Sequence, residues 1–158
     1  MKSKTNAMRR LDAAGIPYEV FEYEVDESDL SGTHIADEIG LPYEVVFKTL
    51  VAKGDRTGPV VFCIPCDREI DLKKAARVTD NKKIEMVHVK DLLALTGYIR
   101  GGCSPIGMKK QFPTYLHESA LQFERITVSS GVRGAQLLLS VESLISFVGA
   151  KTADICAV

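Results

Sequence analysis

Two apolar runs of strand length, VVFKTLVAK (45–53) and PVVFCIP (59–65), are joined by GDRTG. A short glycine-containing link between two such runs is a hairpin signal, so the chain commits early to an antiparallel strand pair. One residue disturbs the pattern. Val45, Val46, Phe47, Leu50 and Val51 read as buried strand, yet Lys48 lies among them. Burying an unpaired ammonium costs on the order of several kcal/mol. Lys48 therefore stands on the wet face of a half-exposed strand, or a partner meets it.

Around this pair the chain mixes hairpins with scattered helices. Ala7, Met8, Leu11 and Ala14 have helical spacing within 3–14, and Gly15 ends the helix. In PYEVFEYEV, Phe21, Tyr23 and Val25 alternate with acids as a strand does, and the run EYEVDESD reads as a solvated loop. Ser31 or Thr33 is placed to cap a short helix, HIADEI, closed by Gly40. DLKKAARVT reads as a helix, KIEMVHV as a strand and DLLALTG as a helix. PTYLH and RITVSS are strands flanking a helical SALQF, and AQLLLS is a strand followed by the helix VESLISFVG. This order predicts an α+β fold with a mixed, mostly antiparallel sheet, and not a strictly alternating parallel one.

The 158 residues, 46% hydrophobic and 26% charged, predict one domain over 1–158 with a real core. A formal net charge of −1 excludes a strongly basic nucleic-acid coat and a polybasic anchor, and leaves room for local contact with RNA. No apolar run reaches the roughly 18 residues that span a bilayer. The segment MKSKTNAMRRLDAAG lacks the apolar centre of a signal peptide. A cytoplasmic address without membrane contact follows, with the four cysteines expected as thiols.

Two short segments carry candidate chemistry. GGCSPIG (101–107) has three glycines in seven residues, which permits a nest of N–H groups for a carbonyl oxygen or phosphate, with Arg100, Lys109 and Lys110 on either side. The same composition also suits a plain surface loop. Cys63-Ile-Pro-Cys66 has thioredoxin-like spacing after a strand, although four residues separate it from the helical pattern DLKKAA. No paired spacing adds two further zinc ligands, and His34, His88 and His117 are scattered. His88 reads as a strand residue.

Lys48 in VFKTLV, the segment DLKKAA, the run TGYIRGGCSPIGMKK, and VSSGVRG before an apolar strand together resemble the YbaK/EbsC family of aminoacyl-tRNA deacylases. These are relatives of the editing domain of prolyl-tRNA synthetase, and the resemblance runs over residues 4–156. It implies a mixed, partly barrel-like sheet surrounded by helices. It also implies hydrolytic removal of a wrong amino acid, cysteine on tRNA for proline first, from the tRNA 3′ end. The aminoacyl-tRNA 3′ end is then the substrate and prolyl-tRNA synthetase a candidate partner, with no DNA, cofactor or metal. Lys48 matches the family's pocket lysine, and Gly101 through Pro105 match its Gly-x-x-x-Pro loop. The resemblance gives Lys48, Gly101 and Gly102 catalytic roles, with main-chain N–H groups of Gly102 to Ser104 holding the carbonyl. Tyr23, Ser31, Cys103, Ser104, Pro105, Ser129, Arg133 and Gln136 are the expected substrate-binding residues. Two of them depart from the family: Ser31 replaces a phenylalanine, and Gln136 an acid. Two other readings remain open, a redox protein using Cys63 and Cys66, and a tRNA- or nucleotide-binding module without turnover.

Overall fold

The computed structural model describes residues 3–158. Among these residues, eight strands form two sheets. The smaller has the order β1 (Tyr18–Glu22), β7 (Ala135–Ser140), β6 (Arg125–Ser129) and is antiparallel throughout. The larger has the order β4 (Ile84–Met86), β2 (Phe47–Gly54), β3 (Gly58–Pro65), β5 (Thr114–His117), β8 (Lys151–Ala153), and its last two pairings are parallel. A parallel bridge between Val46 and Thr127 joins the two sheets, so the strands curl part of the way round a common core.

The predicted hairpin is β2–β3, with Lys48 opposite Ile64 and Thr49 opposite Cys63. β3 reads as a continuous apolar run because it lies centrally and is covered on both faces. On one face Val61 and Cys63 join Phe47 and Val51 in the main core, which the smaller sheet closes with Ile126, Val128, Leu137 and Leu139. On the other, Phe62 and Ile64 pack with Ala52, Ala75, Ile155 and Cys156.

Among the described residues, five α-helices surround the sheets. α1 (Asn6–Ala13) is capped by the Thr5 hydroxyl and buries Ala7, Met8 and Leu11. α2 (Gly32–Ile39) is capped by Ser31 and ends at Gly40 in the left-handed conformation, as the sequence predicts. α3 (Leu72–Val78) takes its cap from Asp71, whose carboxylate accepts the amides of Lys73 and Lys74. α4 (Val89–Thr96) begins earlier than its apolar pattern suggests, and it takes His88 out of the predicted strand. That strand shrinks to three residues, and His88 is an exposed residue at the helix start. α5 (Val141–Val148) follows β7 directly. SALQF forms a 3-10 turn within Glu118–Gln122. β8 went unread in the sequence because its three residues are stabilised only by pairing with β5.

Candidate functional site

Where the two sheets meet, three segments distant in sequence come together: the entry to α2, the Gly101–Pro105 loop, and the loop between β6 and β7. The α2 entry is fixed by its own side chains. Asp26 Oδ1 accepts the Ser28 amide at 3.0 Å, and Asp29 Oδ1 accepts the Ser31 amide at 3.1 Å. The Ser31 hydroxyl and amide hold the Asp29 carboxyl below its ordinary range. The acidic run is therefore partly a structural brace and more than a solvated loop. Ser31 Oγ accepts the His34 amide at 3.3 Å, so its hydroxyl serves both the cap and Asp29, and the residue is exposed at the helix N-terminus.

The Gly101 loop is wedged between these neighbours. A Cβ on Gly101 would lie 3.4 Å from Leu30 Cδ2 and 3.3 Å from Arg133 Nε. A Cβ on Gly102 would lie 3.1 Å from the backbone nitrogen of Arg133 and 3.1 Å from the carbonyl carbon of Val132. Two main chains approach here without a side chain between them, which only glycine permits. Arg133 Nε donates to the Arg100 carbonyl at 2.8 Å and ties the loops together. On the far side of that contact, the Tyr23 amide donates to the Gly134 carbonyl at 3.0 Å.

The donors of the loop differ from expectation in one respect. The Gly102 amide is not free, because it donates to the Ile99 carbonyl at 3.0 Å and closes a turn. The amides of Cys103 and Ser104 have no acceptor among the described residues. Cys103, Ser104 and Pro105 are all buried. Ser104 Oγ accepts the Ile106 amide at 3.2 Å, and burial pushes the Cys103 thiol up to about 12.

Lys48 is half-buried and has no ion-pair or hydrogen-bond partner among the described residues. The ladder continues past β3, with the Cys66 amide donating to the Val46 carbonyl at 2.8 Å. Val46, Lys48, Ile64 and Cys66 thus share one face. α2 rests on that face: a Cβ on Gly32 would come within 2.5 Å of Cys66 Cβ. Lys48 is thereby tied through Cys66 and Gly32 to the same helix entry whose Leu30 touches Gly101.

Ser129 and Gln136 are opposite each other on the smaller sheet, and both are buried. Ser129 Oγ accepts the Gly131 amide at 3.1 Å. Thr127 donates to Gln136 Oε1 at 3.1 Å, which leaves the Gln136 amide group a donor. Thr127 was not singled out in the sequence. Only the strand register makes it a diagonal neighbour of Gln136 on the same face.

The cysteine pair does not have the geometry of a thioredoxin motif. Cys63 faces the main core, whereas Cys66 lies on the opposite face of the strand with Ile64, so the two sulfurs point apart. Burial pushes the Cys63 thiol up to about 12 and the Cys66 thiol up to about 11, opposite in sense to an activated pair. We expect a thiol reagent at pH 8 to modify the native protein far more slowly than the denatured chain, with no 63–66 disulfide in a non-reducing peptide map. A rapidly formed 63–66 disulfide would contradict this. The folded thiols stay protonated above the unfolded value of 9, so their contribution to stability is full below pH 9 and is lost towards pH 12.

Residues 32–147 match the model of the aminoacyl-tRNA editing domain. An Enterococcus faecalis protein, provisionally named Cys-tRNA(Pro)/Cys-tRNA(Cys) deacylase EbsC, is 51% identical over 98% of this chain and 94% of its own. The proline–tRNA ligase of Fervidobacterium nodosum is 31% identical over 75 residues, 48% of this chain and 13% of the ligase. A crystal structure described provisionally as a trans-editing enzyme for prolyl tRNA synthetase superposes with a TM-score of 0.84 at 25% identity, over 99% of this chain and 100% of that one.

Proposed function

The chain belongs to the aminoacyl-tRNA editing domain family, and on that premise we propose that it removes a mischarged small amino acid from tRNA in trans, cysteine on tRNA(Pro) before others. One observation carries the chemistry: in a buried loop, the amides of Cys103 and Ser104 are two donors without acceptors among the described residues. A buried donor left unpaired costs on the order of 1–3 kcal/mol, so such a pair favours an incoming oxygen. An aminoacyl ester is already activated, and its cleavage needs positioning and stabilisation of the developing oxyanion more than a protein nucleophile.

In this reading the ester carbonyl docks on Cys103 and Ser104, and Gly101 and Gly102 shape the turn that presents them. Lys48 meets a ribose or phosphate oxygen of the terminal nucleotide, and the anion offsets the desolvation of its ammonium. Water attacks the carbonyl carbon, or the thiol of a cysteine substrate does. The carbonyl–ribose bond breaks, and the ribose oxygen leaves with a proton. Tyr23, Ser31, Pro105, Ser129, Arg133 and Gln136 bound the amino-acid side. With Ser31 and Gln136 in place of an aromatic and an acid, the pocket is wider there and uncharged. One methylene in such a pocket shifts selectivity by about 1–3 kcal/mol.

Among the described residues no helix is long and apolar enough to cross a membrane. The chain acts as one editing domain in the cytoplasm, and prolyl-tRNA synthetase raises its weak affinity for tRNA through effective concentration. The test is a deacylation panel of Cys-, Ala-, Ser- and Pro-tRNA(Pro). We expect selective turnover of Cys-tRNA(Pro), with Pro-tRNA(Pro) spared. Binding without turnover of any of the four would leave a tRNA-binding module in place of an enzyme.

A further inference from the structure

The face of β2 that carries Lys48 is covered by the C-terminal segment. Ile155 and Cys156 are fully buried there beside Ile64. Three backbone links strap the segment to residues 69–71: Ile70 bridges Cys156, the Ala157 amide donates to the Glu69 carbonyl at 2.8 Å, and the Asp71 amide donates to the Ile155 carbonyl at 2.8 Å. Arg68 stands at the edge of this strap, half-buried, with Nη2 donating to the Ala157 carbonyl at 3.1 Å.

Arg68 and Lys48 border the same strap: Lys48 is opposite Ile64, which packs with Cys156, and Arg68 reaches the Ala157 carbonyl from a turn closed by its own amide on the Pro65 carbonyl at 3.0 Å. Burial pushes the Cys156 thiol up to about 11, and Arg68, Lys48 and Lys74 all act on it in the opposite sense. Lys74 is already committed, to Asp154 at 3.0 Å and to the Cys156 carbonyl at 3.0 Å. The acids nearby are Asp154, which Lys74 takes, Asp67 and Asp37 near Cys66, and Glu118 near His117. Neither Lys48 nor Arg68 has a carboxylate within ion-pair distance among the described residues. Two half-buried cations without ion-pair partners among the described residues thus stand beside one strap, in a chain of net charge −1.

We propose that Arg68, held by the C-terminal strap, joins Lys48 in binding the phosphodiester next to the 3′-terminal nucleotide of the substrate RNA. A phosphodiester has two non-bridging oxygens and one negative charge. The guanidinium takes one or both oxygens through its planar fork, and the ammonium supplies a point charge. This assignment rests on the deacylase reading for the identity of the RNA and adds the residue that holds its backbone.

The experiment compares the cysteinyl ester of adenosine, which has no phosphate, with the cysteinyl ester of the dinucleotide CpA. We expect wild-type kcat/KM to favour the dinucleotide ester. In Arg68→Gln that preference falls about tenfold, the loss of one charge-assisted hydrogen bond, and Arg68→Lys recovers part of it. Damage to the strap alone would lower both esters together and leave their ratio unchanged, and an unchanged ratio overturns the assignment while deacylation stands. The same variants are titrated with uncharged CpA and adenosine by NMR. If wild type cleaves neither ester, the deacylase reading fails and the titration alone decides. Arg68-dependent preference for CpA then upholds the phosphate site, and equal binding of CpA and adenosine by wild type and Arg68→Gln overturns it.

Discussion

Lys48→Ala is expected to lower kcat/KM for deacylation by about 10²- to 10³-fold, while Tm moves by only a few degrees. The two effects separate because of what surrounds the residue. Lys48 has no ion-pair partner among the described residues, so its removal strands no buried carboxylate. Its strand stays held by the full β2–β3 ladder from Phe47 to Gly54. Losing a half-buried aliphatic stem costs about 1 kcal/mol, which in a chain of this size is about 2–4 °C. The catalytic loss is larger. A preorganised donor at an oxyanion or phosphate site contributes about 3–4 kcal/mol in a dry environment. Lys48→Arg keeps the charge and should retain part of the activity, whereas Lys48→Gln should behave like alanine. Single-turnover deacylation of Cys-tRNA(Pro) beside thermal denaturation checks both halves. Undiminished turnover in Lys48→Ala would remove the residue from the site.

What could be read in the sequence were the features with a local cause. The hairpin announced itself because GDRTG separates two runs of strand length, and α2 because Ser31 and Gly40 bracket it with a cap and a left-handed stop. The β7–α5 junction was legible for the same reason, with AQLLLS giving way to VESLISFV. The misses had non-local causes. KIEMVHV lost its last residues to α4, since only β2 beside it decides how far β4 can pair. β8 exists because β5 offers it an edge. In the candidate site, Lys48 and the Gly101 loop stood out by composition alone. The use of the Gly102 amide in a turn, the Thr127 bond to Gln136 and the Arg68 bond to the Ala157 carbonyl depend on register and on contacts across many residues. The cysteine spacing left a redox reading open because spacing in sequence says nothing about which face of a strand each sulfur takes.

Gly102→Ala is expected to lower turnover about 10²-fold with a stability loss of only about 1–3 kcal/mol, and the reason is steric. Gly102 is absent from the residues with left-handed backbone, so alanine meets no conformational penalty at that position. Its methyl group would instead press on the backbone of Val132 and Arg133 at 3.1 to 3.2 Å. Main chain cannot swing aside as a side chain does, so the two loops must part by a few tenths of an ångström. The neighbouring amides of Cys103 and Ser104 move with them, and donors aimed at a developing oxyanion tolerate little displacement. Gly149→Ala provides the contrast. Gly149 has φ +67 with nothing within 4 Å of an added Cβ, so alanine there should cost about 1–2 kcal/mol of stability and leave turnover unchanged. Measured side by side, the two variants should have comparable Tm and differ in kcat, with Gly102→Ala alone the slow enzyme. A Gly102→Ala protein with wild-type kcat would show that the loop does not hold the reacting carbonyl, and the oxyanion would then have to be stabilised elsewhere.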